Sequence, residues 1–204
     1  HVYQVSCKYL SKIVVNASPA HVFERLLTGG HGQRSGDWFQ QVAPRELDAF
    51  YTVVREESDL ALPATASELT VAERKALAIS LRGTLSTDAR KHYEELAPIV
   101  ARESARVWSG AIAGDEERML WRMLRIGSAP YFVLGASKSG PLRMRVGTPW
   151  DWRQRFTLSH FGIEPRDGGQ PMVGWCADVR DKKTGAEHRV DGHVQIRWSH
   201  GRFC

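Results

Sequence analysis

At Pro130 the hydrophobic pattern of this chain changes period, and that change constrains the fold more than any other feature. Before it, apolar residues recur three and four positions apart, the spacing of helices with one buried face. After it, YFVLG, LRMRV, QRFTLSH, VGWCADVR and HVQIRWS are short β-type runs separated by turn residues. Asp191-Gly192 reads as a hairpin turn between EHRV and HVQIRWS, and Asp181–Gly185 as another turn. The expected fold class is α+β, or mixed α/β with one opening strand, a helical middle and a C-terminal antiparallel β-meander.

The opening strand is His1–Leu10, where Tyr3, Val5, Cys7 and Tyr9 alternate with Gln4, Ser6 and Lys8. Ser18-Pro19 then starts a helix that turns Val22, Phe23, Leu26 and Leu27 inward and stops at Gly29-Gly30. A polar, glycine-rich loop over 31–37 precedes the aromatic pair Trp38-Phe39. Pro44 opens a second helix with Leu47, Phe50, Tyr51 and Val54 inward. Thr70 and Glu73 form a capping box ahead of AERKALAISL. A long helix is predicted over 86–109, with a bend at Pro98, and another over 116–126 with Met119, Leu120, Met123 and Leu124 as its stripe. We read 1–204 as a single domain, 1–129 being the strand plus helical part and 130–204 the basic, β-rich part. The first residues are already in strand alternation and the last follow another strand pattern, as in a piece of a longer protein.

At 204 residues, with 7 Trp, 7 Phe and 5 Tyr, the chain has the material for a packed core. No run of about 18 apolar residues is present, which argues against a membrane span. The three cysteines, Cys7, Cys176 and Cys204, are too far apart for a disulfide framework or a zinc knuckle, and point to a reducing compartment, the cytoplasm. Charge is unevenly placed. Residues 130–204 hold 12 Lys and Arg against 7 Asp and Glu, so the whole net charge of +5 sits in the last third. A local basic excess suits a polyanion, nucleic acid above all.

Two constellations carry chemistry. On the first strand Ser6 and Lys8 share a face, where a lysine can stabilise charge developing on a phosphorus atom. A lysine on the wet face of a strand is also commonplace. The second is basic and aromatic: Lys138, Arg143, Arg145, Arg153 and Arg155 interleave with Trp150 and Trp152. Arg143 and Arg145 project to one face of a strand, a pair of forks that suits phosphates or a guanine edge in the major groove. Arg197 and Arg202, beside Trp198 and His200, extend that surface. The bland reading is a solvated sheet face with snorkelling arginines. A zinc site from Cys176, His188 and His193 is conceivable but fits no zinc spacing, GGHGQRSG lacks the GKS or GKT of a phosphate loop, and no GxSxG elbow is present.

Four stretches in this order resemble the GGCC-cutting type II restriction endonucleases of the PD-(D/E)xK nuclease superfamily. They are VYQVSCKYLS, SGDWFQQVAP, PYFVLGASKSGPLRMRV and DGHVQIRWSHGRF. The resemblance implies a restriction-endonuclease-like fold and a sequence-specific, Mg²⁺-dependent endonuclease acting on double-stranded DNA, commonly as a homodimer. It makes Lys8 the catalytic lysine and puts Ser6 where related nucleases often keep a metal-binding acid. It assigns DNA contact to Lys138–Arg145, with Trp150, Arg153, Arg197 and Arg202 as further DNA-binding candidates. The superfamily's metal-binding Asp lies on the strand before the lysine strand, upstream of His1. Asp37 or Glu24 could substitute in principle, and neither is assigned the role. Two rivals stand beside this reading: a non-catalytic DNA-binding module, and an interaction domain for an acidic protein partner.

Overall fold

The computed structural model describes residues 37–81, 85–137, 140–166 and 169–198. The opening strand with Ser6 and Lys8, the helix expected after Ser18, Glu24, Lys138, His200 and Arg202 lie outside the described residues. Among the described residues the fold is α+β: six α-helices precede or interrupt two antiparallel sheets. No helix among the described residues is long and apolar enough to cross a membrane.

Helix α1 (Trp38–Val42) is capped by Asp37, whose carboxylate accepts the N–H of Phe39. Helix α2 (Pro44–Glu56) begins on its proline and buries Leu47, Phe50, Tyr51 and Val54, the four residues its spacing marks. The Tyr51 hydroxyl donates to the Pro63 carbonyl at 2.7 Å, and Arg55 to Ala64, so α2 holds the segment that follows it. Helix α3 (Val71–Ser80) starts with the reciprocal Thr70–Glu73 box.

Helix α4 (Thr87–Ile112) is the spine. Ala89, Tyr93, Leu96, Ala97, Val100, Ala101, Ser104, Ala105, Trp108 and Ile112 are all buried. Many of these are small, which lets α2 and the sheet approach its axis closely. Phe50 packs on Tyr93 at 5.6 Å between ring centroids, and the other side of α4 meets β3 and β4. The helix passes through Pro98, which sits on its exposed side, and runs three residues beyond the predicted end. Helix α5 (Glu116–Met123) stops earlier than predicted because Arg125 takes a left-handed φ of 61°. Met119 and Leu120 are buried as expected, but Trp121 joins them while Met123 and Leu124 are only half-buried.

Two sheets follow. Strands β1 (Tyr131–Ser137) and β2 (Gly140–Val146) make a two-stranded ribbon. Strands β3 (Phe156–Arg166), β4 (Met172–Asp181) and β5 (Glu187–Gln195) form a meander with β4 central. On β4, Val173, Trp175, Ala177 and Val179 face the core, and Cys176 and Asp178 face away. The turn at Asp181–Gly185 forms as expected, with Gly185 at φ 73°.

The chain departs from expectation at two further places. Asp191-Gly192 is no hairpin: both residues lie inside β5, paired with Cys176 and Trp175. Gly192 is there because a Cβ would lie 2.8 Å from the Trp175 ring, so the glycine makes room for an indole. The second departure is PWDWRQR, which is helix α6 (Pro149–Arg155): no element is expected over 149–153, and Gln154-Arg155 are expected in the strand that follows. Thr148 and Asp151 form a capping box and Pro149 occupies the first turn, local signals strong enough to start a helix inside a strand-rich region.

Candidate nucleic-acid interface

The ribbon arises from two alternating runs. Its register pairs Arg145 with Phe132 and Arg143 with Leu134. Residues directly opposite one another in an antiparallel pair share a face. One face therefore carries Phe132, Leu134, Arg143 and Arg145, and the other carries Tyr131, Val133, Leu142 and Met144. Phe132 and Leu134 are 70% and 71% exposed, the arginines are exposed too, and the uncharged face is less open. All the charge of the paired strands thus lies on one side.

The base of the ribbon is anchored at two points. The Tyr131 hydroxyl donates to the Arg125 carbonyl at 2.9 Å. Arg145 lies 3.5 Å from the Asp151 carboxylate at the start of α6. Asp151 is held below the usual carboxylate range, first by the Thr148 N–H and hydroxyl and then by Arg145. Arg143 has no ion-pair or hydrogen-bond partner among the described residues. It is the freer of the two forks.

Helix α6 divides the remaining basic and aromatic candidates. Trp150 is 70% exposed, whereas Trp152 is buried edge-on against Trp121 at 6.0 Å. Arg153 stacks over Trp121, 4.6 Å from the ring centroid, and meets the Glu117 carboxylate at 2.8 Å. Arg155 bonds Asp181 at 3.1 Å and covers Phe156. Both guanidinium groups are thus paired, while their side chains stay more than half exposed. Arg197 is half-buried and donates to Gln195 at 2.9 Å. Charge density along the sequence could not separate Arg153 and Arg155 from Arg143, because their acceptors lie 36 and 26 residues away. Phe132 and Leu134, in turn, were not singled out by the sequence. Their alternation in YFVLG is the signal, but it does not say that both faces of the strand stay open.

Two enclosed carboxylates, Asp37 and Asp181, are already taken up by donors of the fold. Asp37 accepts from the Trp198 indole and the Phe39 N–H, with Arg74 3.5 Å away. Asp181 accepts from two backbone N–H groups and Arg155. No group of three or more His, Cys, Asp or Glu side chains among the described residues is placed to hold a metal ion. The zinc geometry fails as well, since His188 and His193 sit on one strand five residues apart and so on opposite faces. A shallow hollow of ≈ 150 Å³ beside Arg45, Glu46 and His92 is smaller than ordinary ligand pockets.

No family model, no curated protein and no solved structure matches this chain.

Proposed function

We propose that this chain is a restriction-type endonuclease for double-stranded DNA, or part of one, that grips its substrate through the β1–β2 ribbon. The observation that carries the reading is the ribbon's charged face, where Arg143 and Arg145 project from adjacent ranks beside exposed apolar side chains. A two-stranded ribbon fits the major groove, about 12 Å wide. Lys138, outside the described residues, falls between these strands in sequence, and Trp150 lies a few residues after β2. Arg197 and Arg202 would extend the grip.

The catalytic part rests on the resemblance of VYQVSCKYLS to the nuclease lysine strand. Lys8 would stabilise the negative charge of the phosphorane-like transition state, and Ser6 would stand in the acid's place. Mg²⁺, held by the acid that the resemblance puts upstream of His1, would supply Lewis-acid chemistry when bound. A homodimer on a palindromic site follows from the same resemblance.

The test is cleavage of a mixed-sequence plasmid by this chain and by its longest natural precursor, with Mg²⁺ or with EDTA. Discrete Mg²⁺-dependent fragments are expected from the precursor. Salt-sensitive retention on DNA with no cleavage by either would replace the enzyme with a DNA-binding module. No retention at about 0.1 M salt would remove the DNA reading and favour an acidic protein partner.

A further inference from the structure

We infer that the ribbon reads base edges in the major groove, with Arg145–Phe132 and Arg143–Leu134 as two composite reading ranks. This rests on the DNA-binding reading above and goes further, naming specificity-determining residues. Directly opposed side chains in an antiparallel pair lie about 5 Å apart, so each rank sets a guanidinium fork beside an apolar group. Phosphates would engage only half of each rank, because Phe132 and Leu134 gain nothing against a charged oxygen. A base edge engages both halves. Guanine O6 and N7 accept the fork bidentately, and the C5 side of a neighbouring pyrimidine, a thymine methyl above all, offers apolar contact.

Spacing supports the same assignment. Successive same-face residues on a strand are about 7 Å apart, and successive base pairs about 3.4 Å. The two ranks therefore fall in step with base pairs two apart. Polarity fits too. The opposite face, with Val133, Leu142 and Met144, offers a polyanion no cation, so only one face can meet DNA. Among the described residues of the ribbon, Phe132 and Leu134 are the most exposed of the large apolar side chains, which is where contact with a groove floor would be made.

The experiment selects duplexes from a pool with a randomised centre and then measures affinity for the selected duplex and for each single-pair change. It does so for the unaltered chain and for Arg143→Lys, Arg145→Lys, Phe132→Ser and Leu134→Ser. These side chains are exposed, and thermal melts of each variant confirm that folding is kept. Arg→Lys retains the charge and loses the fork, so preference at one guanine should fall about 5- to 150-fold with the salt dependence unchanged. Phe132→Ser and Leu134→Ser should each relax preference at a neighbouring pyrimidine, again with the same salt slope. Retention of every preference by all four variants overturns the inference. So does an unaltered chain that binds every duplex alike; both results leave the ribbon as a phosphate grip and the DNA-binding reading intact. Failure of the unaltered chain to bind any duplex removes that reading and the inference with it.

Discussion

The indole Nε1 of Trp198 donates a hydrogen bond to the carboxylate of Asp37, joining the segment after β5 to the cap of α1 across 161 residues. Trp198 is buried against Phe50 of α2, and the neighbouring Trp38 indole donates to the buried Ser104 hydroxyl of α4 at 2.8 Å. Asp37 thus connects α1, α3 through Arg74, and the chain end of the sheet.

Burial pushes the Asp37 carboxyl above its usual range, outweighing Arg74, Trp198 and the Phe39 N–H, which pull it down. An acid whose folded pKa is raised contributes stability below the unfolded value near 4 and loses it as pH rises through the folded one. Asp37→Asn keeps the acceptor oxygen without the charge. Urea midpoints measured from pH 3 to 8 should show the unaltered chain losing ground to Asp37→Asn as pH rises. A constant difference across that range would show that Asp37 titrates as an ordinary carboxyl.

Asp181 should behave in the opposite sense. Its carboxylate accepts the Lys183 N–H at 2.8 Å and the Thr184 N–H at 3.2 Å, and bonds Arg155. These donors, the Lys183 N–H foremost, hold its pKa below the usual value. Its contribution is therefore present above the ordinary carboxylate range and lost as pH falls through the folded value. The stability gap between the unaltered chain and Asp181→Asn should be widest near neutrality and close below about pH 4. A gap independent of pH would contradict this.

Where the physical cause is local, the sequence was enough. The Thr70–Glu73 box and the buried stripe of α2 are complete within one or two turns of chain, and both stand as read. The Thr148–Asp151 box was equally local, but it sits between two strand-like runs, and the segment is left without an element in the sequence reading. What the sequence could not show is which polar groups find partners at long range. Asp37 stood as a spare carboxylate until Trp198 and Arg74 were placed beside it, and Arg153 as a free cation until Glu117 and Trp121 were. Asp191-Gly192 failed for the same reason, because the glycine answers to Trp175 on the neighbouring strand.

Gly192→Ala tests that last point. Its Cβ would lie 2.8–2.9 Å from three atoms of the Trp175 indole, which is buried and stacked on Phe161 at 6.2 Å. The ring cannot swing away without disturbing this stack, so overpacking should cost about 1–3 kcal/mol. Chemical denaturation reads this directly. A Gly192→Ala chain as stable as the original would mean that Trp175 has room to move.

Arg143 and Arg153 should separate binding from folding. Arg143 is exposed and unpaired among the described residues, so Arg143→Ala should leave the melting temperature in place, weaken DNA retention and relax the preference for one guanine by about 5- to 150-fold. Arg153 is tied to Glu117 and Trp121, so Arg153→Ala should lower stability by up to about 1 kcal/mol and leave the salt slope alone. The reverse pattern would move the interface from the ribbon to α6.

Lys8→Ala addresses the chemistry, since the ribbon and the lysine strand carry separate tasks in the proposed enzyme. Binding drawn from Arg143 and Arg145 does not need Lys8, whereas charge developing on the scissile phosphate does. In the longest natural precursor, Lys8→Ala should cut a plasmid at least about a hundredfold more slowly with Mg²⁺ present, the scale for losing one transition-state donor. Its affinity for the same DNA in EDTA should be unchanged. Ser6→Ala should leave binding equally intact, and its effect on the cutting rate reports whether the serine takes part. Cutting by Lys8→Ala at the original rate would end the catalytic assignment and leave the DNA-binding module as the better account of the chain.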